Sequence, residues 1–276
     1  MNDDIHPSAP PTAVKSAERV LDLFELLGRW EREMSHSEIA DALAIPKSSL
    51  TLLLRTLVAR GYVEYAPETK GYRLGGAFST LARRSGRDFD LVESVEPILA
   101  GITATLGESS ALNRLRGQMA EVVASVSSAQ RLVLMMRTGD LAPLYATAGG
   151  KALLAYLPAE MQEEYLASVR FERITPKTIS SVESLRKEIE TVRRVGLAHT
   201  FEEFTDGIVG VATVILDVRG YPVGSLNVAM PAVRASSDAL ERAAQVLRRA
   251  AQEITQQIAR AAGSANSPQT RSRRGN

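Results

Sequence analysis

Apolar residues recur at three- and four-residue intervals through Val14, Ala17, Val20, Leu21, Phe24 and Leu27, a spacing that predicts an amphipathic first helix. Residues 1–12 before it carry Pro7, Pro10 and Pro11 among small polar side chains and are predicted to be disordered. Ser35-His36-Ser37-Glu38 has the form of a capping box, in which the Ser35 hydroxyl and the Glu38 carboxylate each satisfy the other's backbone N–H. It predicts a short second helix buried through Ile39, Ala42 and Leu43. After the turn Ala44-Ile45, Pro46 suits the first position of a third helix, which buries Leu50, Leu53, Leu54 and Leu57 and stops at Gly61. The period then changes to two. Tyr62–Tyr65 and Tyr72–Leu74 flank a Pro67–Gly71 turn and predict a hairpin. Three helices and a hairpin over 13–75 make a winged helix-turn-helix.

Gly75-Gly76 opens a polar stretch with Arg83, Arg84, Arg87, Asp88 and Asp90, read as a linker helix over 76–90 with a break near Gly86. A second domain, 91–263, follows. Val92, Val95, Leu99, Ile102 and Leu106 predict a helix with Pro97 near its first turn or at a kink. Strands are predicted at 109–115, 120–126, 132–136, 209–216 and 223–230, and helices at 150–156, 159–167 and 182–195. A last helix buries Leu240, Ala243, Leu247, Ile254 and Ile258, and a polar tail fills 264–276. Strands and helices do not alternate strictly, so the expected class is α+β, built on an antiparallel sheet flanked by helices.

Composition narrows the chemistry. With no cysteine in 276 residues there are no disulfides, thiolate metal sites or thiol nucleophiles. No apolar run approaches the ~18 residues that a membrane span needs. The N-terminus is acidic and Pro-rich, unlike a secretory signal, so a cytoplasmic protein without a membrane partner is expected. Net charge is only +1, but from Ala44 to Gly75 five bases (Lys47, Arg55, Arg60, Lys70, Arg73) face two acids (Glu64, Glu68). A local basic face on a near-neutral chain is compatible with DNA, and equally with an ordinary solvated patch.

Both halves together resemble the isocitrate lyase regulator (IclR) family from about Val14 to Ala262. The resemblance runs through Val14–Leu21, Ile45-Pro46-Lys47-Ser48-Ser49-Leu50-Thr51 to Leu57, Gly61-Tyr62-Val63 and Gly71–Gly75. It continues through Ala148-Gly149-Gly150-Lys151-Ala152-Leu153-Leu154-Ala155 and Glu202-Glu203-Phe204-Thr205-Asp206-Gly207. What it implies is a DNA-binding transcription regulator with a C-terminal, GAF-like effector-binding domain. It also implies a homodimer or homotetramer acting as repressor, activator or both. No cofactor and no enzymatic activity are expected, because the second domain has one histidine, no cysteine, no metal-ligand cluster and no nucleophile–base motif.

On the third helix, Lys47, Ser48, Ser49, Thr51 and Arg55 fall largely away from the leucine face and are the candidate contacts to double-stranded operator DNA. Lys70 at the wing tip and Lys15 at the start of the first helix are candidate phosphate contacts. Gly149-Gly150-Lys151 lacks the spacing and the Ser/Thr of a nucleotide-binding loop. Small residues at a helix start either admit an anionic ligand to backbone N–H groups or pack the helix tightly on a sheet. The resemblance favours a carboxylate effector at the backbone of Ala148 and Gly149. It aligns further effector positions with Thr200, Gly210 and Asn227, where well-known members carry an acid, a cysteine and a serine. Gly210 would then leave room for a larger ligand body. Leu132 and Leu134, alternating with Met136, are either an apolar wall of that pocket or plain core. Glu202 and Glu203 are adjacent on an extended segment, so their carboxylates should point apart and serve structure. His6, His36 and His199 are the only histidines. The ligand expected is a small organic acid, aromatic or otherwise. The rival readings are an enzyme with an appended regulatory winged helix and a protein-binding adaptor.

Overall fold

The computed structural model describes residues 14–29, 33–84 and 91–263. The expected N-terminal and C-terminal tails, residues 85–90 of the expected linker, and His6 lie outside the described residues. Contacts divide the chain into two units that meet between Leu81 and Ala82.

The first unit contains α1 (Lys15–Arg29), β1 (Met34–Ser35), α2 (His36–Ala42), α3 (Lys47–Ala59), β2 (Val63–Ala66) and β3 (Gly71–Leu74), and the boundary falls within α4 (Ala77–Arg84). The capping box is formed: Glu38 N donates to Ser35 Oγ at 3.3 Å and Ser35 N to Glu38 Oε2 at 2.7 Å. Pro46 precedes α3 instead of opening it. Its ψ of 134° is extended, and its carbonyl accepts the first helical bond from Leu50 N at 3.0 Å. Leu23, Leu27, Ile39, Leu50, Leu54, Leu57 and Val63 form the core. Within it the leucines of α3 lie three and four residues apart, as one helix face requires. The hairpin β2–β3 gains a third strand, β1, through Met34 opposite Tyr72 and Ser35 opposite Gly71. Gly75 sits where a β-carbon would lie 2.2 Å from the Gly61 carbonyl oxygen. Only glycine allows that crossing.

The second unit contains α5 (Leu91–Leu106), β4 (Ser109–Arg116), β5 (Met119–Val126), β6 (Leu141–Pro143), α6 (Ala148–Tyr156), α7 (Ala159–Ser168) and α8 (Val182–Val195). It ends with β7 (Ala198–Phe201), β8 (Ile208–Leu216), β9 (Pro222–Pro231), a 3-10 turn and α9 (Ser237–Gly263). All neighbouring strands are antiparallel in the order β6-β5-β4-β9-β8-β7. Side chains alternate across such a sheet. Leu112, Val209, Val211, Leu226 and Val228 therefore join α5 and α9 in one core, with Pro97 inside α5. Their neighbours Asn113, Gly210, Ser225 and Asn227 fall on the other face, where α6 packs on β4, β8 and β9.

One predicted strand is absent. Residues 132–136 are irregular, and the edge of β5 is paired instead by β6, with Ala120 opposite Ala142. The segment is held by side chains rather than by a ladder. Ser125 Oγ donates to the Met136 carbonyl at 2.6 Å, and Arg234 Nη2 to the Leu132 carbonyl at 2.9 Å. The strand β7 was not predicted from the sequence.

Candidate functional site

In the first unit, Lys47, Ser48, Ser49, Thr51 and Arg55 are all exposed on α3, but they do not form one face. At 100° per residue, Ser48 and Arg55 lie opposite the leucine core, with Lys47 and Thr51 to one side and Ser49 to the other. Thr51 is tied inward: its hydroxyl donates to the Lys47 carbonyl at 2.8 Å and lies 3.0 Å from His36 Nε2 on α2. Ser49 lines a shallow groove toward α1 with Ser16, Arg19, Ile45, Leu52, Leu53 and Thr56. Lys15 and Lys70 are exposed, and Lys70 holds the wing turn at φ 53°. Arg73 is spent on acids. It donates to Glu64 at 3.1 Å and to Glu33 at 3.2 Å, and Glu33 also accepts from Thr69. The free positive charge of the wing is therefore at its tip.

In the second unit, a cavity of about 350 Å³ opens between the N-terminus of α6 and the sheet. Ala148, Gly149, Thr200, Gly210, Asn227 and Leu134 come together in its wall. Leu132 does not: its side chain is 58% exposed, outside the cavity, and only its carbonyl is used, by Arg234. The segment covers the cavity through the consecutive Leu134, Met135 and Met136, so the alternation of Leu132, Leu134 and Met136 marks neither a strand nor plain core. The rest of the wall is largely apolar, with Val122, Met135, Met136 and Ile208 among its members.

The start of α6 is built for a close approach. Thr147 is its N-cap, and its hydroxyl accepts from Gly150 N at 3.1 Å. The N–H groups of Ala148 and Gly149, in the first turn, have no carbonyl within the helix to bond. A β-carbon on Gly149 would lie 2.4 Å from Asn113 Nδ2, and one on Gly150 would lie 2.6 Å from the Leu144 carbonyl oxygen. Tight packing on the sheet and backbone access at the cavity thus coexist at one glycine pair. Gly210 is used differently from expectation. A β-carbon there would meet Thr200 Oγ1 at 2.6 Å and Ala148 Cβ at 3.2 Å, so the space it vacates is already filled by protein.

The polar floor includes a residue that the sequence did not mark. Asn113 Nδ2 donates to Asn227 Oδ1 at 2.7 Å and lies 3.4 Å from Ser225 Oγ, whose own hydroxyl donates to the Gly149 carbonyl at 3.0 Å. The only signal of Asn113 was an amide beside Ala111 and Leu112 in a strand that also carries Ser109, Ser110, Arg114 and Arg116. Thr205 and Asp140 complete the polar lining, and no lysine, arginine or histidine lines the cavity among the described residues.

Behind it, Lys151 is 2% exposed in its side chain. Its ammonium contacts Glu203 at 2.8 Å, the His199 carbonyl at 3.2 Å and Glu188 at 3.5 Å. Burial pushes the Glu203 carboxyl above its usual range against the pull of Lys151. The His199 imidazole is held below its usual value by burial, with Lys151 and Arg248 adding to the shift and Glu188 opposing it. Glu202 instead pairs with Lys177 at 2.6 Å and accepts from Gly207 N. The two carboxylates point apart as expected, each held by its own lysine, but the segment is not extended there: Glu202 lies in a bend past β7 at φ 62°.

Known sequences match this architecture in two places. The pattern of the bacterial transcriptional regulator IclR C-terminal region covers residues 85–256, and that of the IclR helix-turn-helix domain covers 16–67. The HTH-type transcriptional regulator KdgR of Dickeya chrysanthemi is 29% identical over 90% of this chain and 81% of its own length. The crystal structure of the Thermotoga maritima IclR aligns at a TM-score of 0.60 and 27% identity, covering 88% of this chain and 98% of that one. An IclR homolog from Microbacterium hydrocarbonoxydans, solved in complex with 4-hydroxybenzoate, shares the fold at a TM-score of 0.56 and 22% identity, covering 89% and 99%. With both units matched in order, the chain belongs to the IclR family of bacterial transcriptional regulators.

Proposed function

We propose that this regulator binds its operator through the outer face of α3 and the wing tip, under the control of a single-ring or similarly compact organic acid in the α6 cavity. The observation that carries the ligand class is the cavity wall itself. It is apolar on most sides and, Asp140 apart, neutral in its hydrogen-bonding groups, with free N–H groups at one helix start. At about 350 Å³ it is near the lower end for small-molecule pockets and suits one ring. The helix N-terminus favours a carboxylate. Asp140 disfavours a second negative charge, while Thr200 and Asn227 suit a hydroxyl or carbonyl. A relative of the same fold holds 4-hydroxybenzoate, a molecule of this class.

A palindromic operator needs two reading helices about one DNA turn, ~34 Å, or a multiple apart, so the working species is a homodimer or homotetramer in the cytoplasm. Exposed Val14, just before α1, and Leu21 on it, one heptad apart, support pairing through that helix. Light scattering that gives only monomer at micromolar concentration, with and without DNA, refutes the assembly. For the ligand, a thermal-shift screen compares 4-hydroxybenzoate, benzoate and 4-hydroxybenzamide, followed by calorimetry. The acids are expected to stabilise the protein more than the amide, whose affinity should fall by up to about thirtyfold, the factor that ~2 kcal/mol gives. An amide that binds as well as its acid overturns the assignment of the helix start to a carboxylate.

A further inference from the structure

Helix α3 contains five leucines, and four of them face the core side: Leu50, Leu54 and Leu57 are buried and Leu53 half-buried. Leu52 is the exception: it edges the shallow groove toward α1, yet 67% of its surface is exposed. A single exposed leucine is ordinary on a protein surface and by itself needs no function. Its position is what singles it out. Leu52 lies four residues after Ser48 and three before Arg55, so the three side chains form one continuous line on the outermost face of the helix. The face is also selective in charge. Arg55 supplies a base within the line and Lys47 another to one side of it, α3 carries no acid, and Arg55 makes no ion pair among the described residues.

We infer that Leu52 reads sequence, packing its isobutyl group against the C5-methyl group of a thymine in the major groove of each half-site. The inference rests on the proposal that α3 is the reading helix. A helix laid in the major groove presents this outer line to the base edges. Leu52 has neither donor nor acceptor, and the apolar feature that the base edges offer there is the thymine methyl. Cytosine carries only hydrogen at the same carbon, so the contact discriminates T from C where a polar side chain would need a hydrogen bond. A second copy of the chain is a poorer occupant, because two such faces brought together would oppose Lys47 and Arg55 with their own kind.

The test uses the full-length protein and a duplex selected from a random library by its affinity for that protein. Each thymine of the selected duplex is replaced in turn by deoxyuridine, which removes the methyl and nothing else. At one position per half-site the replacement is expected to weaken binding about fourfold, the factor that ~0.8 kcal/mol for one buried carbon gives. Leu52→Ala should bind the thymine and deoxyuridine duplexes equally, and its own selected sequence should lose the preference at that position. Its melting temperature should match the parent protein, since the side chain is outside the core. Deoxyuridine without effect at every position, or Leu52→Ala with the parent's preference intact, overturns the inference. Arg55→Ala separates the levels. If it binds the selected duplex as tightly as the parent protein, the reading face itself is misassigned. If it binds more weakly while deoxyuridine has no effect, Leu52 alone is misassigned.

Discussion

Gly149→Ala adds one methyl group at the start of α6, and two opposing effects decide its outcome. Alanine is the better helix former by up to about 1 kcal/mol. Against that, the new β-carbon would stand 2.4 Å from Asn113 Nδ2, 3.0 Å from Asn113 Cγ and 3.1 Å from Ser225 Oγ. Ordinary contact begins near 3.4 Å, so the Asn113 amide must retreat by about 1 Å. Asn113 is buried on β4 and lines the cavity, which is the free space open to it. Moving there breaks its 2.7 Å bond to Asn227. Overpacking costs about 1–3 kcal/mol, and leaving a buried polar group without its partner costs a similar amount. The clash therefore wins. A net loss of about 2 kcal/mol is expected, a fall of about 4–8 °C in melting temperature for a unit of this size. In an Asn113→Ala background the amide is gone, and the same substitution should become neutral or stabilising. Thermal melts of the four proteins of this double-mutant cycle measure the coupling. Equal destabilisation in both backgrounds would show that Asn113 is not the obstacle. A rise in melting temperature for Gly149→Ala alone would mean slack at the helix start that the geometry denies.

Lys151→Met should cost about 3–5 kcal/mol in urea unfolding, because Glu203 is left buried without its cation, and Lys151→Met/Glu203→Met should recover most of it; an unchanged midpoint for the single variant contradicts the buried pair. The folded value of His199 lies below 6.5, so its contribution to stability is present above that pH and lost as pH falls beneath it. Unfolding midpoints from pH 7 to about 5.5 should decline less steeply in His199→Gln than in the parent, and parallel slopes would discard the assignment. Lys70→Ala keeps a β-carbon at the same positive φ, so charge is the main change at the wing tip; binding to operator and random duplexes should weaken alike, with a shallower salt dependence in fluorescence anisotropy. A loss confined to the operator would make Lys70 a base contact.

The first unit was legible because its signals are local. Ser35 and Glu38 are three residues apart, the leucines of α3 mark their own face, and Gly61 stops the helix where a left-handed φ of 73° is needed. What stayed hidden depends on distant partners. Met34 and Ser35 are a strand only because Tyr72 and Gly71 stand opposite them. The segment at 132–136 has a strand's period of two, yet its anchors are Ser125 and Arg234, and the second of these lies about a hundred residues away in the chain. The period there does not even report which side is dry, since Leu132 is exposed and the consecutive Leu134, Met135 and Met136 line the cavity. The cavity residues themselves were reached chiefly through family resemblance. Asn113 could not be found that way, since its role is set by contacts with Ser225 and Asn227 more than a hundred positions on.

The run Ala148-Gly149-Gly150-Lys151 shows how far residue types alone can mislead about charge. A lysine following two glycines invites a phosphate, and the ammonium could be expected to meet an anion in the cavity. Instead Lys151 turns into the protein, where Glu203 and the His199 carbonyl take its donors. Its positive charge is already countered when a ligand arrives. An acid in the cavity must then be balanced by the N–H groups of the first turn of α6, whose dipole is worth about 0.3–1 kcal/mol at the surface and up to ~2 kcal/mol when partly buried. So small a charge contribution means that most of the binding free energy has to come from the apolar wall. The size and shape of the ring should therefore govern effector affinity more than the strength of its acid group, and within a series of acids the response should track the surface that each can bury against Val122, Met135, Met136 and Ile208.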